Sequence, residues 1–418
     1  MNIRTATISG IPKELRIRDA GRNSHLAPSA ADTADSDWRA RVDKVVAIAA
    51  AHATGVDKES RFPKEAIAAA RAERLLGVAV PREFGGDGLS VADVADICYA
   101  LGRACASTAM IYAMHQTKVA CIVRHGRSSP WHQLLLRRLC AEQLLLASST
   151  TEGQAGGDLR NSAAAVDGET RITLERQATV ISYGEAADGI VTTARRSADA
   201  ASSDQVLVAF LKENYTLERL NGWDAFGMRG TCSAGFKLMA SGLREQILPV
   251  TYEKIHSHTM MPFAHLVWSS AWAGIAAAAV ERARAFVRKA MHRSGGTLPP
   301  GAAHLTRAGA SLKTLRSLIA AATQRFEAAA SDSAMLESIE FQTSMNMLKV
   351  NASELAVATV MSAMQTCGLP GYRNDSEFSI GRHLRDILSS PIMISNDRIL
   401  ANLATASVLG TTPESLRD

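Results

Sequence analysis

The order of sequence patterns along this chain restricts its fold more than any single motif does. From Asp37 to about residue 146, apolar residues recur every three or four positions, which is typical of amphipathic helices. The pattern then changes to short β-branched runs separated by Gly-, Asp- and Ser-rich turns. A helical pattern returns near Pro262 and continues onward, with a break at residues 295–301. This order predicts an α+β protein with a β domain between two helical domains.

The same patterns predict where the domains begin and end. Residues 1–35 mix Pro, Ser, Asp and Arg without periodicity, and we expect a flexible leader there. We predict an N-terminal helical domain at 36–146, a middle antiparallel β domain at 147–255 and a C-terminal helical domain at 256–418. The β-branched runs that we expect to form strands are residues 172–174, 179–182, 189–193 and 205–210.

Composition narrows the class of protein. Hydrophobic residues make up 47% of the 418 residues and charged residues 21%, as in ordinary soluble globular proteins. The net charge of +5 is dispersed, without a basic block interleaved with aromatic residues, which disfavours nucleic-acid binding. The most apolar run, residues 269–280, is shorter than the roughly 20 residues of a membrane span, and the N-terminus lacks the apolar segment of a secretory signal. We therefore expect a soluble cytoplasmic protein.

Several common signatures are missing from the sequence. The six cysteines form neither a C-x-x-C pair nor a Cys/His cluster with zinc-ligand spacing, so we expect reduced thiols and no metal site. G-x-G-x-x-G and G-x-x-x-x-G-K-[ST] are absent, which disfavours the two commonest nucleotide-binding loops. G-x-S-x-G and H-E-x-x-H are also absent, which disfavours hydrolases and zinc proteases.

A loop of small polar residues stands at the entry to the strand-rich segment. Residues 148–158 read S-S-T-T-E-G-Q-A-G-G-D. Such a loop exposes hydroxyl and backbone N–H groups to a polar partner at close range. An ordinary polar turn has the same composition, so this loop alone does not identify a binding site.

Four further stretches follow this loop in order. They are A-T-V-I-S-Y-G at 178–184, N-G-W-D-A-F-G-M-R-G-T at 221–231, Q-T-C-G-L-P-G-Y at 365–372, and a segment at 382–399 that begins R-H-L-R-D and ends I-S-N-D-R-I. Together with the first loop, this series resembles the acyl-CoA dehydrogenase family, over about residues 35 to 410. The resemblance implies an N-terminal helical domain, a middle antiparallel β domain and a C-terminal four-helix-bundle domain.

The resemblance also implies a bound FAD and assigns residues to it. Thr151 falls on the threonine whose hydroxyl and backbone contact the flavin ring, and Thr150 on the residue whose backbone meets its pyrimidine edge. Ser182 takes the place of a threonine near the flavin. Gln365 and Gly368 fall where a neighbouring subunit approaches the adenosine half, which implies a homodimer or homotetramer. The implied cofactor-binding set is Thr150, Thr151, Gly156, Gly157, Ser182, Gln365, Gly368, Asn396 and Arg398.

The sequence departs from the family pattern where chemistry is expected. Ile394 occupies the position of the catalytic glutamate, which removes the α-proton of an acyl thioester. The alternative position of that glutamate, on the first helix of the C-terminal domain, is Ala264. His265 is the substitute base we favour, although it would pack equally well beside Trp268. Asp397 is the carboxylate nearest to the missing base, although it is equally suited to an N-cap.

Other departures concern the cofactor and the substrate. Gly157 replaces a family serine, so that a hydroxyl contact is lost, and the family's R-x-x-F-G motif is not recognisable near residues 295–301. By family position, an acyl pocket would be lined by Met114, Trp272 and Met393. Methionine and tryptophan at helical spacing are also ordinary core residues.

Three functions remain open from the sequence. The first is α,β-dehydrogenation of an acyl thioester, carried by CoA or a carrier protein, with an electron-accepting flavoprotein as partner. The second is a two-component flavin-dependent monooxygenase on the same fold, which would need a flavin reductase. The third is a flavin-binding protein without turnover, which the loss of the glutamate favours.

Overall fold

The computed structural model describes residues 30–152 and 161–409. The chain divides into two compact units, residues 1–40 and residues 41–418. The first unit contributes the first turns of one helix, where the Arg39 guanidinium lies 4.4 Å from the centroid of the Trp38 ring. That helix begins at Ala30, so the last residues of the predicted leader are helical. All that follows concerns the second unit.

The N-terminal helices form where helical periodicity was predicted, and capping residues set their ends. Ser90 and Asp93 form a capping box, in which the Ser90 hydroxyl accepts the Asp93 N–H at 3.2 Å and the Asp93 carboxylate accepts the Ser90 N–H at 3.0 Å. Gln143, with φ of 53°, ends the fifth helix. The helices are α1 (Ala30–Glu59), α2 (Lys64–Ala72), α3 (Val91–Ala104), α4 (Ala106–His125) and α5 (Pro130–Glu142).

Two three-stranded sheets make up the β domain. One has the order β1-β3-β4 and the other the order β2-β6-β5. The sheets are antiparallel as predicted, except that β1 runs parallel to β3 because β2 lies between them in sequence and joins the other sheet. The strands are β1 (Leu146–Ser149), β2 (Arg171–Ala178), β3 (Gly189–Arg195), β4 (Gln205–Leu211), β5 (Tyr215–Arg219) and β6 (Phe236–Leu243).

The strand predicted at residues 179–182 is wrong. β2 ends at Ala178, and the chain then turns through Tyr183, whose φ is 45°. The segment bonds to another irregular stretch instead of a strand: the Ile181 N–H donates to the Ala234 carbonyl at 2.8 Å and the Tyr183 N–H to the Thr231 carbonyl at 2.8 Å. Of the β-branched residues in this run, Ile181 is buried whereas Thr179 and Val180 are exposed, so the composition typical of a strand occurs here in a turn.

The C-terminal helices form the predicted bundle. Helices α7, α8 and α10 contact one another. The shorter helices α12 and α13 both pack on α10. The break at 295–301 separates α7 from α8, as predicted. The helices are α6 (Tyr252–Ile255), α7 (Met261–Arg293), α8 (Ala302–Ala329), α9 (Ser333–Glu337), α10 (Ile339–Cys367), α11 (Leu369–Tyr372), α12 (Gly381–Ile387) and α13 (Asn396–Leu409).

Close helix packing joins the N-terminal and C-terminal helices. Gly102 of α3 and Gly274 of α7 face each other, and a Cβ at Gly274 would lie 2.2 Å from the Tyr99 carbonyl oxygen. The two helices therefore approach backbone to backbone, which small residues alone permit. This contact fixes the middle of α7 against α3 of the N-terminal domain. The predicted domain boundaries at 146 and 255 lie next to β1 and α6 and stay a prediction.

A buried histidine couples α4 to β1. The Nδ1 atom of His115 accepts the Leu146 N–H at 3.0 Å, so its Nε2 carries the proton that is donated to the Leu76 carbonyl at 2.8 Å. Burial lowers the pKa of His115 to about 4 and keeps the ring neutral, as this pairing requires. The first strand is thereby held against the helix that carries one wall of the site.

One continuous helical stretch, Tyr252–Arg293, is long and apolar enough to cross a membrane, with a mean hydropathy of 1.4 over its most apolar window. Within the structure, 94% of that window is buried by the rest of the protein. Such burial is what the core helix of a globular domain shows.

Candidate active site

A cavity of about 830 Å³ lies where the β domain meets the two helical domains. This volume is within the range of sites that hold small ligands and cofactors. Its walls come from α4, the ends of β1 and β2, the turn before β6, the start of α7 and the segment between α12 and α13. The predicted residues that line it are Thr150, Thr151, Ser182, Arg398, His265, Met114 and Met393.

A chain of hydroxyl groups forms the wall on the β-domain side. The Thr231 hydroxyl donates to the Met228 carbonyl at 2.9 Å, so its oxygen accepts from Ser233 at 2.8 Å. Ser233 in turn lies 2.8 Å from Ser182 and accepts its hydroxyl proton. Because Ser182 donates its hydroxyl proton to Ser233, the lone pairs of its own oxygen can accept a hydrogen bond from an N–H group of a ligand in the cavity.

The end of β1 supplies the two threonines of the same wall. Thr192 Oγ1 donates to the Ser149 carbonyl at 2.8 Å, which anchors the strand immediately before Thr150. Thr150 and Thr151 are half-buried, and both line the cavity. Gly156 and Gly157 lie outside the described residues, and their assignment stays a prediction.

The helical side of the cavity holds apolar groups at the two positions that the resemblance to the family assigns to its base. Ile394 and Ala264 both line the cavity, although 130 residues separate them in sequence. Ile394 has a φ of 51°, in the left-handed region that a β-branched residue rarely adopts. The geometry therefore brings both candidate base positions to one site, and neither holds a carboxylate.

His265 is the sequence-predicted base that the structure places in the cavity wall. Its side chain is 2% exposed, and its Nδ1 lies 2.9 Å from the Met345 carbonyl oxygen. Because a carbonyl accepts only, Nδ1 is protonated and Nε2 carries the free lone pair. Burial lowers the pKa of His265 to about 3. The ring is thus neutral near pH 7, and it is a weak base. It also packs beside Trp268, with ring centroids 5.8 Å apart.

Asp397 and Asn396 lie at the start of α13 and are not among the residues lining the cavity. Asp397 is exposed in the first turn of the helix, where a carboxylate suits the helix dipole. Asn396 is buried; its amide oxygen accepts from Lys349 Nζ at 2.7 Å and its amide nitrogen donates to Ser353 Oγ at 3.0 Å. Their catalytic and cofactor roles stay predictions, without support from their placement.

The remaining predicted residues lie away from the cavity lining. Trp272 is fully buried in the helical core, with Lys349 Nζ 5.9 Å from its ring centroid. Gln365 and Gly368 are exposed near the end of α10, beside Leu369 and Tyr372, which are 67% and 73% exposed. A role across a subunit boundary is compatible with this outward placement and stays a prediction.

A buried carboxylate joins the two walls. Asp386 of α12 accepts the Met228 N–H at 2.7 Å, and a Cβ at Gly227 would lie 2.0 Å from the Arg385 carbonyl oxygen, so this turn fits only glycine there. Burial raises the pKa of Asp386 to about 6. Next to it, Arg385 lines the cavity and forms an ion pair with Asp57.

Lys118 lines the cavity and was not predicted from the sequence. It is 4% exposed, and its Nζ donates to the Met260 sulfur at 3.5 Å. Burial lowers its pKa to about 8. Met110, Met114 and Lys118 recur at four-residue spacing and share one face of α4. The spacing is visible in the sequence. A lysine is normally exposed, however, so the sequence alone does not place Lys118 on a buried face of α4.

Sequence comparison identifies the family that has this fold and cavity. Residues 33–142 match the acyl-CoA dehydrogenase N-terminal domain, and residues 258–409 match the acyl-CoA dehydrogenase C-terminal domain. The chain belongs to the acyl-CoA dehydrogenase family, whose members are flavoprotein oxidoreductases. The fold and family predicted from the motifs are thereby confirmed.

Curated relatives share moderate identity with the chain. It is 32% identical over 189 residues to a cyclohex-1-ene-1-carbonyl-CoA dehydrogenase of Geobacter metallireducens, covering 44% of this chain and 49% of that protein, so the match spans about half of the relative. An enzyme with the same name from Syntrophus aciditrophicus is 24% identical over 374 residues, 86% of each protein. An L-prolyl-[peptidyl-carrier protein] dehydrogenase of Pseudomonas fluorescens is 29% identical over 89 residues, 21% of this chain and 23% of the relative.

Solved structures of low sequence identity share the whole fold. TdsC from Paenibacillus sp. A11-2, in complex with FMN and indole, superposes with a TM-score of 0.77 at 16% identity, over 91% of this chain and 98% of the other. Butyryl-CoA dehydrogenase from Megasphaera elsdenii gives 0.73 at 19% identity, over 93% and 100%. The fold is therefore a flavin-binding one.

Proposed function

We infer that this protein is an FAD-dependent oxidoreductase that dehydrogenates an acyl thioester between its α- and β-carbons. The observation that carries this proposal is the hydroxyl wall of Ser182, Ser233 and Thr231, which lines the cavity in a member of this family. The names of the curated relatives, which are dehydrogenases of CoA or carrier-protein thioesters, support the substrate class.

The residues of the β-domain wall suit a flavin. Thr150, Thr151 and Ser182 offer hydroxyl and backbone groups to its polar edge, and Arg398 offers a cation at the cavity wall. When bound, the flavin supplies a two-electron acceptor for the hydride that the substrate loses. We favour FAD over FMN because Gln365 and Gly368 occupy the family's adenosine-contacting positions, in a homodimer or homotetramer.

His265 is the group we propose to take the α-proton. Its Nε2 is unprotonated because Nδ1 is held by Met345, and its ring lines the cavity beside Ala264. A conjugate acid with a pKa of about 3 makes this a much weaker base than a carboxylate with a raised pKa. We therefore expect slow dehydrogenation, limited by removal of the proton.

The lack of a carboxylate in the described lining favours a second candidate function, a two-component flavin-dependent monooxygenase. No aspartate or glutamate is present among the described residues that line it. A two-component monooxygenase, supplied with reduced flavin by a reductase, needs no carboxylate to remove an α-proton. The choice between CoA and a carrier protein, the electron-accepting partner and the cytoplasmic location stay predictions.

An anaerobic titration of the FAD-loaded protein with saturated acyl thioesters tests the first proposal. Slow loss of the visible flavin absorbance with one chain type is the expected result. If no thioester bleaches the bound flavin, dehydrogenation is wrong. Oxygen-dependent hydroxylation with an added flavin reductase then decides between the monooxygenase and a flavin-binding protein without turnover.

A further inference from the structure

Lys118 is a charged residue buried in the cavity wall, and no acidic partner for it is present among residues 30–152 and 161–409. Its ammonium group makes one hydrogen bond among the described residues, to the thioether of Met260 at 3.5 Å. Sulfur of this kind is a weak acceptor. Burial removes the ammonium group from water, and one weak hydrogen bond does not offset the cost of this desolvation. The burial is therefore unfavourable unless a ligand replaces the hydrogen bonds to water.

The described surroundings of Lys118 contain no counter-charge. The described cavity lining contains no carboxylate, and the neighbouring Cys121 thiol is kept neutral because burial raises its pKa to about 12. Of the other basic groups in the lining, Arg385 already pairs with Asp57, Arg398 is exposed and His256 is half-buried. His265 is neutral near pH 7. Lys118 is thus the buried cation of this cavity to which the described structure assigns no anion.

Lys118 and the hydroxyl wall belong to different elements of the cavity lining. Lys118 lies on α4 against the helical turn His256–Met260, whereas the hydroxyl chain belongs to the β domain. This turn is π-helical and precedes Pro262, which has no N–H to continue a regular helix. Met110 and Met114 precede Lys118 on the same apolar face of α4. An acyl chain lying along this face would bring its far end to the ammonium group.

We propose that Lys118 determines substrate specificity by binding a carboxylate on the acyl chain, remote from the thioester. A single compact ammonium matches one carboxylate in charge and offers it short, charge-assisted hydrogen bonds. A diphosphate would leave most of its charge unmatched at a single lysine. This inference rests on the proposed function, because it assumes a thioester-borne acyl chain in this cavity.

Binding of thioesters matched in chain length tests this role separately from turnover. The probes are succinyl-, glutaryl- and adipyl-CoA, each paired with the monocarboxylic butyryl-, pentanoyl- or hexanoyl-CoA. Dissociation constants are measured by calorimetry on the FAD-loaded protein under anaerobic conditions. We expect at least one dicarboxylic probe to bind about 10- to 100-fold more tightly than its partner.

Two substitutions show whether Lys118 causes the preference. Lys118→Met keeps the length and the apolar contacts, so it should fold with an unchanged or higher melting temperature while the preference disappears. Lys118→Arg keeps the charge and should retain part of the preference. Lys64→Met, at an exposed position on α2, removes the same charge from the surface and should leave the preference unchanged.

Three outcomes contradict the proposal. These are equal or weaker binding of every dicarboxylic probe, a preference that survives in Lys118→Met, and no measurable binding of any probe. Failure of the proposed dehydrogenation looks different: the dicarboxylic probe then binds with the Lys118-dependent preference, and the flavin stays oxidised.

Discussion

The β-domain side and the helical side of the cavity differ in their chemical groups. On the β-domain side, Thr150, Thr151 and Ser182 retain hydroxyl groups, and Ser233 and Thr231 extend them into an ordered chain. On the helical side, Ile394 and Ala264, the two positions that the resemblance to the family assigns to the catalytic carboxylate, are apolar. The described lining therefore carries hydroxyl groups on the β-domain side and no carboxylate on the helical side.

This difference separates cofactor binding from proton chemistry in physical terms. A hydroxyl wall stabilises a polar ring system through several hydrogen bonds, each contributing modestly, so it tolerates single changes. Proton abstraction depends on one group of suitable pKa at one place. Replacing that group alters the reaction without altering the fold or the cofactor site.

The largest expected effect comes from restoring a carboxylate on the helical wall. In Ile394→Glu, the rate of flavin reduction by a saturated acyl thioester should rise about 10²- to 10⁴-fold, because a carboxylate is a stronger base than the buried imidazole. Stopped-flow absorbance under anaerobic conditions measures this rate. Ile394→Gln has nearly the same shape without the base and should show no gain; an equal gain in both variants would mean that space, not basicity, was limiting.

Removing the imidazole should have the opposite and smaller effect. In His265→Asn, the side-chain amide can still donate to the Met345 carbonyl, whereas the free lone pair of Nε2 is lost. Flavin reduction by thioester should slow about 10- to 100-fold, with little change in thioester binding. His292→Asn, near the exposed end of the same helix, is the matched control. An unchanged rate in His265→Asn would exclude His265 as the base.

Asp386, the buried carboxylate between the two walls, should make the free energy of unfolding depend on pH. The pKa of Asp386 is raised from 3.8 to about 6, so the folded protein holds this proton more tightly than the unfolded chain does. Its contribution to stability is therefore present below pH 4 and is lost as the pH rises through 6.

Denaturant unfolding of the wild type and Asp386→Asn across this window measures the difference. Asparagine keeps the oxygen that accepts the Met228 N–H and does not titrate. From pH 4 to pH 7, the wild type should lose about 2–3 kcal/mol of unfolding free energy relative to the variant. The buried histidines titrate equally in both proteins and cancel. Parallel pH profiles would show that Asp386 is already ionised in the folded state at pH 4.

The smallest expected effect concerns one member of the hydroxyl chain. In Ser182→Ala, the dissociation constant for flavin should rise about three- to tenfold, which is what the loss of one neutral hydrogen bond costs. Fluorescence titration of the apoprotein with FAD measures it, and Ser241→Ala, on the exposed face of β6, is the control. A loss beyond about a hundredfold would mean that Ser182 orders the whole wall.

The sequence by itself determined the succession of helices and strands, because apolar periodicity and caps such as Ser90 act over a few residues. Its motifs also indicated the family and the two positions that lack a carboxylate. Tertiary structure decided which of these residues meet. Ser182 lies in the wall because residues 179–182 form a turn beside residues 231–234, not a strand.

Burial determined which of the remaining residues line the cavity and how basic they are, and burial depends on the whole fold. Trp272 was predicted to contact substrate and lies in the helical core, whereas Lys118 faces the cavity without having been predicted. The weak basicity of His265 arises from its removal from water and from the Met345 carbonyl, 80 residues away in sequence. A local pattern specifies which residues share a face; only the packed structure specifies what that face touches and how much water remains there.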